Sequence, residues 1–110
     1  MSVVALETLE KQPSESIKYA IDFTNLLKSG ETLSTLTSVL EVGTSGLTLS
    51  EKAINTAAIT KRSGQEIAIG KGIEVRIAGG SAGTTYRIEA IAATSSSNTR
   101  VGDVLLKVLT

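Results

Sequence analysis

The sequence predicts an all-β protein, an antiparallel β-sandwich of about seven or eight strands, and three observations lead to this prediction. Val, Ile and Thr supply 32 of the 110 residues, and side chains branched at Cβ are favoured on pleated strands. Apolar and polar residues alternate with a period of two in several short segments. The ten glycines and the single proline fall mostly between those segments, where turns are expected at intervals of about 8–12 residues.

The clearest predicted strand covers residues 17–23. Four large apolar side chains at odd-numbered positions alternate there with Lys18, a small residue and Asp22. That spacing predicts one buried and one solvent-facing side. Because the segment carries Tyr19 and Phe23, two of the three aromatic residues, we expect it at the centre of a sheet.

A bend and a second strand follow in the chain. Residues 25–30 are expected to form a bend with one helical turn that Gly30 ends. The leucine spacing of residues 32–42 would also suit a helix, but the serines and threonines there are poor helix-interior residues and favour a strand. A turn at residues 43–46 and a short strand at residues 47–49 come next.

The middle of the chain is predicted to hold short strands separated by glycine turns. Residues 53–60 are a weaker strand candidate, with a helix as the alternative. After a turn at residues 63–64, residues 67–69 belong to a short strand that ends at the glycines of residues 70–72. Residues 73–77 alternate cleanly and predict a strand whose charged side chains point outward.

The last third of the chain contains two further strands. The glycine-rich residues 79–83 are interpreted as a hairpin turn, since glycine permits positive φ. Residues 85–94 follow as a strand, residues 95–98 as a polar turn, and residues 101–109 as the closing strand. The buried face of the strand at residues 85–94 is predicted to consist of Tyr86, Ile88, Ala90 and Ala92.

All these strands are assigned to one domain of residues 13–110, because no linker of shifted composition divides the chain. We interpret residues 1–12 as an N-terminal arm or edge strand. The length is near the commonest domain size, so an aliphatic core of Ile, Val, Leu and Ala suffices without a disulfide or a metal.

The composition excludes several kinds of chemistry. Without His or Cys, the chain lacks the residues of a zinc finger, a Cys nucleophile and a Ser-His-Asp triad. The glycines of residues 64–72 and 79–83 match neither the phosphate-loop nor the dinucleotide-binding spacing. The acidic residues mostly alternate with apolar ones, as they do on solvated strand faces. We therefore predict a protein that is not an enzyme, with no catalytic residue, no cofactor and no metal.

Charge and hydropathy argue against two classes of partner. Lys plus Arg and Asp plus Glu number 11 each, and zero net charge disfavours nucleic-acid binding, which needs a cationic surface. No apolar run exceeds four residues, so no membrane-spanning segment is expected. The 13 serines and 14 threonines favour uncharged strand faces, and the centres of protein interfaces are likewise depleted of charge.

The order of several short motifs resembles that in small structural proteins of tailed bacteriophages. In that family a Pro-Ser-Glu motif precedes a strand ending in an Asp-aromatic pair, as PSE at residues 13–15 precedes DF at residues 22–23 here. A leucine and a Gly-Asp/Glu-Thr turn come next, as in LKSGETL at residues 27–33. A glycine turn leading to a tyrosine enters a later strand, as in GGSAGTTY at residues 79–86.

The resemblance implies an immunoglobulin-like (Ig-like) antiparallel β-sandwich that serves as a virion component. Such proteins are fiber–tail adaptors, and similar sandwiches decorate capsids, so we expect a fiber–tail adaptor with a capsid decoration protein as the alternative. A carbohydrate-binding sandwich is a third candidate, opposed by the shortage of aromatic residues, since Tyr19 and Tyr86 are both expected inside. Relatives often carry a Trp near the first strand, and Phe23 fills that place here.

The expected partners are other virion proteins (tail, fiber or major capsid protein), met as several symmetric copies, whereas nucleic acid and membrane are not expected. Contacts are predicted in residues 1–14, residues 79–83 and residues 95–98. The individual residues predicted to contact partners are Val3, Val4, Leu6, Pro13, Gly79, Gly80, Ser81, Gly83, Ser96 and Asn98.

Overall fold

The computed structural model describes residues 7–61 and 63–110, and the part of the chain that it describes is all-β, as predicted. A 3-10 helix of one turn, Thr24–Leu26, accompanies nine strands in these residues. No helix in them is long and apolar enough to cross a bilayer. The strands are β1 (Glu7–Lys11), β2 (Ile17–Asp22), β3 (Leu33–Val42), β4 (Leu47–Ile54), β5 (Ile59–Thr60), β6 (Glu66–Ile67), β7 (Gly72–Gly79), β8 (Thr85–Thr94) and β9 (Thr99–Val108).

The strands form two main sheets that pack as a sandwich. One sheet has the order β1-β9-β8-β3 and the other the order β2-β7-β4, while β5 and β6 make a small hairpin. The strand pairs are antiparallel except β1–β9, which is parallel and places Glu7 opposite Val104 and Lys11 opposite Val108. The predicted antiparallel sandwich is therefore confirmed, with one parallel strand pair at its edge that was not predicted. The chain leaves β1 for β2 in the other sheet, so no hairpin ties β1 to an antiparallel neighbour.

The strand order is consistent with the Ig-like sandwich that the resemblance implies. In that fold strands B, E and D are neighbours in one sheet, and strands C, F and G in the other. β2, β7 and β4 occupy the first set of places here, and β3, β8 and β9 occupy the second. The loops that join strands therefore gather at the two ends of the sandwich.

An aliphatic core lies between the two sheets, as the composition predicts. β8 has a neighbour on both sides and contributes its predicted buried face, since Tyr86, Ile88, Ala90 and Ala92 are all buried. Burying a side chain as large as that of Ile88 stabilises the fold by roughly 1.5–3 kcal/mol. The facing strands and β9 complete the core with Ile21, Ile73, Val75, Ile77, Val104, Leu106 and Val108.

β2 lies at the edge of its sheet and not at the centre, so that prediction is wrong. It pairs with β7 alone, and β7 is the central strand although it contains no aromatic residue. Ile21 and Phe23 are fully buried, whereas Tyr19 is half-buried. Period-two alternation shows that one face of a strand is buried, but it carries no information about how many neighbours the strand has.

Residues 53–60 do not form the single strand that was predicted. β4 continues from Leu47 to Ile54, with a β-bulge between Ser50 and Ala53, and the chain then leaves the sheet at the buried residue Asn55. The Asn55 side chain hydrogen-bonds main-chain groups of neighbouring loops, which competes with a continued strand ladder. Strand structure resumes only in the two-residue β5.

Residues 79–83 form a crossover between the two sheets and not the predicted hairpin. β7 belongs to the three-stranded sheet and β8 to the four-stranded sheet, so the chain passes over one end of the sandwich here. The polar turn predicted at residues 95–98, by contrast, is a hairpin turn that joins β8 to β9. The strand predicted at residues 32–42 is confirmed as β3, and the strand at residues 73–77 lies within β7.

Candidate docking surfaces

Pro13 and the crossover of residues 79–83 lie at the same end of the sandwich. β1 and β9 run side by side to this end, where the Leu109 N–H donates to the Lys11 carbonyl oxygen at 2.9 Å. The Gly83 N–H donates to the Val108 carbonyl oxygen, also at 2.9 Å. We call this the glycine end, made of residues 12–15, 43–46 and 79–83.

A buried lysine shapes the turn that contains Pro13. The Lys11 side chain is almost fully buried, and its ammonium donates to the carbonyl oxygens of Gln12, at 2.7 Å, and Pro13, at 3.1 Å. A buried cation needs such acceptors, because burial without hydrogen bonds is costly. The main chain around the half-buried Pro13 is therefore held from inside.

Tyr86 and Gly80 explain the glycine-rich sequence of the crossover. The Ser81 N–H donates to the Tyr86 hydroxyl oxygen at 2.8 Å, and this hydrogen bond lowers the pKa of Tyr86. Gly80 has φ +94°, and a Cβ built on it would lie 2.8 Å from Val108 Cγ2. Only glycine fits that close approach without displacing a neighbour. A tyrosine that binds the main chain just upstream also marks this corner in Ig sandwiches.

Ser96 and Asn98 lie at the opposite end, in the turn between β8 and β9. The buried Thr94 hydroxyl accepts from the Ser96 N–H at 3.3 Å and from the Asn98 N–H at 3.2 Å. The Ser95 N–H donates to the Thr32 carbonyl oxygen at 2.8 Å, which ties the turn to the start of β3. We call this the turn end, made of residues 28–32, 55–58, 68–71 and 95–98.

A buried carboxylate organises the turn end, and sequence reasoning missed it. Glu31 accepts hydrogen bonds from the Thr94 hydroxyl at 2.6 Å, the Lys28 N–H at 2.9 Å and the Asn98 side-chain amide at 3.2 Å. These bonds, the one from Thr94 most of all, lower the pKa of Glu31 to about 2. The sequence alternation of acidic and apolar residues predicted exposed carboxylates, and nothing in it distinguishes Glu31 from the others.

The predicted contact residues that lie in the described part of the chain fall into two separate clusters. Pro13, Gly79, Gly80, Ser81 and Gly83 are at the glycine end. Ser96 and Asn98 are at the turn end. The ten residues of β8 separate the ends, which is roughly 30 Å at the rise of an extended strand. The predicted contacts Val3, Val4 and Leu6 lie outside the described residues.

A groove between the edges of the two sheets was not predicted. It has a volume of about 880 Å³ and is lined by β1, β2 and the β5–β6 hairpin. The Lys61 ammonium crosses it to Glu7 at 3.6 Å and Asp22 at 3.8 Å, and the Tyr19 hydroxyl donates to the Glu10 carbonyl oxygen at 2.5 Å. Edges of different sheets meet here, so no local sequence pattern could reveal the groove.

The outer face of the four-stranded sheet carries both apolar and charged side chains. The Arg87 guanidinium lies 2.6 Å from the buried Asp103 carboxylate and 3.9 Å from Glu89. The side chains of Leu40, 54% exposed, and Val101, 49% exposed, remain accessible on the same face. Asp103 is a second buried carboxylate that sequence reasoning missed.

Other ligand chemistries find little support in the described residues. Within residues 7–61 and 63–110, no group of three or more acidic side chains is placed to hold a metal ion. Tyr86 is buried against Gly80 and cannot offer its ring face to a sugar, and Tyr19 is half-buried in the groove.

The fold and its exposed loops define a small β-sandwich with accessible surfaces at two opposite ends. The family model described as podophage GP4 fiber-tail adaptor protein gp77 matches residues 11–107, nearly the whole chain. The chain therefore belongs to this family of phage tail adaptors. The sequence matches no curated protein closely enough to count as a relative.

The family match confirms the resemblance to phage structural proteins. It supports the fiber–tail adaptor and does not favour the two alternatives, a capsid decoration protein and a carbohydrate-binding sandwich. The family is a structural one.

Proposed function

We propose that this chain is a non-enzymatic virion component that joins fiber proteins to the phage tail. The family description, a fiber–tail adaptor of a podophage, supports this function. Zero net charge supports a role without nucleic-acid contact, because phosphate binding needs a cationic surface. The chain acts by positioning other proteins and binds no membrane.

The observation that carries the proposal is the placement of two exposed loop clusters at opposite ends of a sandwich 41 Å long. An adaptor must contact two partners at once without the partners colliding. The glycine end, with Pro13 and residues 79–83, docks one partner. The turn end, with Ser96 and Asn98, docks the other.

Several symmetric copies make such modest surfaces sufficient. Each end exposes only a few loop residues, so a single contact is weak. When copies are held around a tail, binding of one copy raises the effective concentration of the next contact. The attachment of a fiber is then stable although no single interface is large.

The two-ended arrangement predicts that the two partners can be lost separately. Ala82→Arg places a long cation on the exposed crossover, and Ser96→Arg does the same on the exposed hairpin turn. Each variant is expected to lose one partner, tail or fiber, and to keep the other, as measured by co-sedimentation with purified tails and purified fibers. Thr37→Arg, at an exposed position in the middle of β3 and away from both ends, is the matched control. Loss of the same partner by both variants would contradict two-ended docking.

A further inference from the structure

Ile69 is the most exposed large apolar side chain in the described residues. Its side chain is 61% exposed, more than that of any other Leu, Ile, Val, Met or aromatic residue there. It lies in a tight turn of residues 68–71, closed by the Lys71 N–H donating to the Ala68 carbonyl oxygen at 3.1 Å. Gly70 is the third residue of this four-residue turn and has φ +77°. A turn with positive φ at that position favours glycine.

The main chain around Ile69 is held rigidly. The Asn55 side-chain amide donates to the Ala68 carbonyl oxygen at 2.9 Å, and the Asn55 carbonyl oxygen accepts from the Gly70 N–H at 3.1 Å. The Gly70 carbonyl oxygen then accepts from the Leu33 N–H at 2.7 Å. A turn bonded on so many sides is already ordered before it meets a partner. The entropy lost on binding is therefore small.

Asn55 also brings a second exposed loop beside the Ile69 turn. The same side-chain amide donates to the Ala57 carbonyl oxygen at 3.0 Å, so residues 55–58 and 68–71 are neighbours. The small side chains on these loops are exposed. We define the Ile69 patch as Ala57, Ala58, Ala68 and Ile69.

Two lysines belong to the loops around the Ile69 patch. Lys71 is the last residue of the Ile69 turn, and Lys28 begins the turn of residues 28–31 that leads to Thr32, whose side chain packs against Gly70. Neither ammonium forms an ion pair in the described part of the chain. The nearby Glu31 carboxylate is buried and occupied by its own hydrogen bonds, so it leaves both lysines available to a partner.

We propose that the Ile69 patch is the main contact of the turn end, and that it docks a partner protein with an apolar pocket bordered by carboxylates. This inference rests on the proposed adaptor function and names the partner chemistry for one of its two ends. A rigid, exposed apolar side chain with a cationic border has the anatomy of an interface centre and rim. The turn of residues 95–98 extends the same surface through the Ser95–Thr32 hydrogen bond.

The charges favour a different protein over a second copy of this chain. In a two-fold contact between identical patches, Lys28 and Lys71 of each copy would face the same lysines of the other. Like charges brought together at an interface cost affinity, whereas opposite charges speed association and set the register. The occupant is therefore a protein that supplies carboxylates around its pocket.

The first test compares Ile69→Asp with Val101→Asp and Leu40→Asp, which remove similarly exposed apolar side chains from another face. Binding is measured by titrating each variant against purified tails and, separately, against purified fibers. We expect Ile69→Asp to weaken binding to one of them by at least about tenfold, as at an interface hot spot. The controls bind like the original chain, and all variants melt at nearly the same temperature because the positions are exposed.

The second test changes only the charged border. The double variant Lys28→Glu, Lys71→Glu is expected to bind the same partner more weakly and to reverse its salt dependence, because attraction becomes repulsion. Unchanged affinity of Ile69→Asp, or an effect confined to self-association, would overturn this inference and leave the adaptor function standing. If the unsubstituted protein binds neither tails nor fibers, the adaptor function itself is overturned.

Discussion

At the scale of single residues, two buried carboxylates do structural work that alternation does not reveal. Glu31 holds the turn end by accepting from Thr94, Lys28 and Asn98, and Asp103 holds Arg87 on the outer face of the larger sheet. Both acidic residues lie in segments whose sequence predicts ordinary solvent-exposed surface. Their burial depends on residues far away in sequence, such as Thr94 for Glu31, so only the tertiary fold places them.

The depressed pKa of Glu31 predicts how stability varies with pH. Its pKa falls from 4.5 to about 2 in the folded protein, so the folded state binds fewer protons than the unfolded state between these values. Glu31 therefore stabilises the fold fully above about pH 4.5, and this contribution is lost as the pH falls towards 2. Thermal melting of Glu31→Gln across this range should show a shallower decline than that of the original chain.

The Glu31 experiment has a matched control in Glu66→Gln, an exposed carboxylate on β6. Burial raises the pKa of Glu41, but hydrogen bonds from Thr44, Leu47 and Gly46 outweigh it and lower the pKa overall, so some acid sensitivity remains in Glu31→Gln. If the melting temperature of Glu31→Gln falls with pH as steeply as that of the unsubstituted protein, Glu31 is not the group that causes the acid sensitivity.

At the scale of elements, the strands were largely predictable and their neighbours were not. β7 and β8 follow from alternation, β3 follows from its serines and threonines, and the buried face of β8 is the predicted one. The edge position of β2 and the crossover before β8 depend on which sheet each strand joins. That choice is made by long-range packing, and glycine-rich sequence serves a crossover as well as a hairpin.

The register of β2 predicts the effect of a charge on its inner face. Ile21 is fully buried and lies opposite Ile73 of β7, so Ile21→Asp buries an unpaired carboxylate and removes core contacts. The cost exceeds about 4 kcal/mol, against a total stability of about 5–15 kcal/mol for a domain. We expect loss of the cooperative melting transition in circular dichroism. Lys18→Ala, on the outer face of the same strand, should melt like the original chain.

At the scale of the whole molecule, the two docking ends result from topology. The contact regions predicted from the sequence were residues 1–14 and the loops on both sides of β8. The sequence could not show that the turn at Pro13 joins the first of these loops at the glycine end, nor that Asn55 orders the Ile69 patch beside the second. The function became predictable only through the order of motifs that resembles phage structural proteins, which the family match confirms.

Site-specific cross-linking in assembled particles tests the two-ended adaptor most directly. The chain contains no cysteine, so Ala82→Cys and Ser96→Cys each introduce one unique thiol, at the glycine end and at the turn end respectively. Particles carrying either variant are treated with a short thiol-to-amine cross-linker, and the products are identified by mass spectrometry. We predict that one position links to a tail protein and the other to a fiber protein. Linkage of both positions to the same protein would contradict the two-ended adaptor.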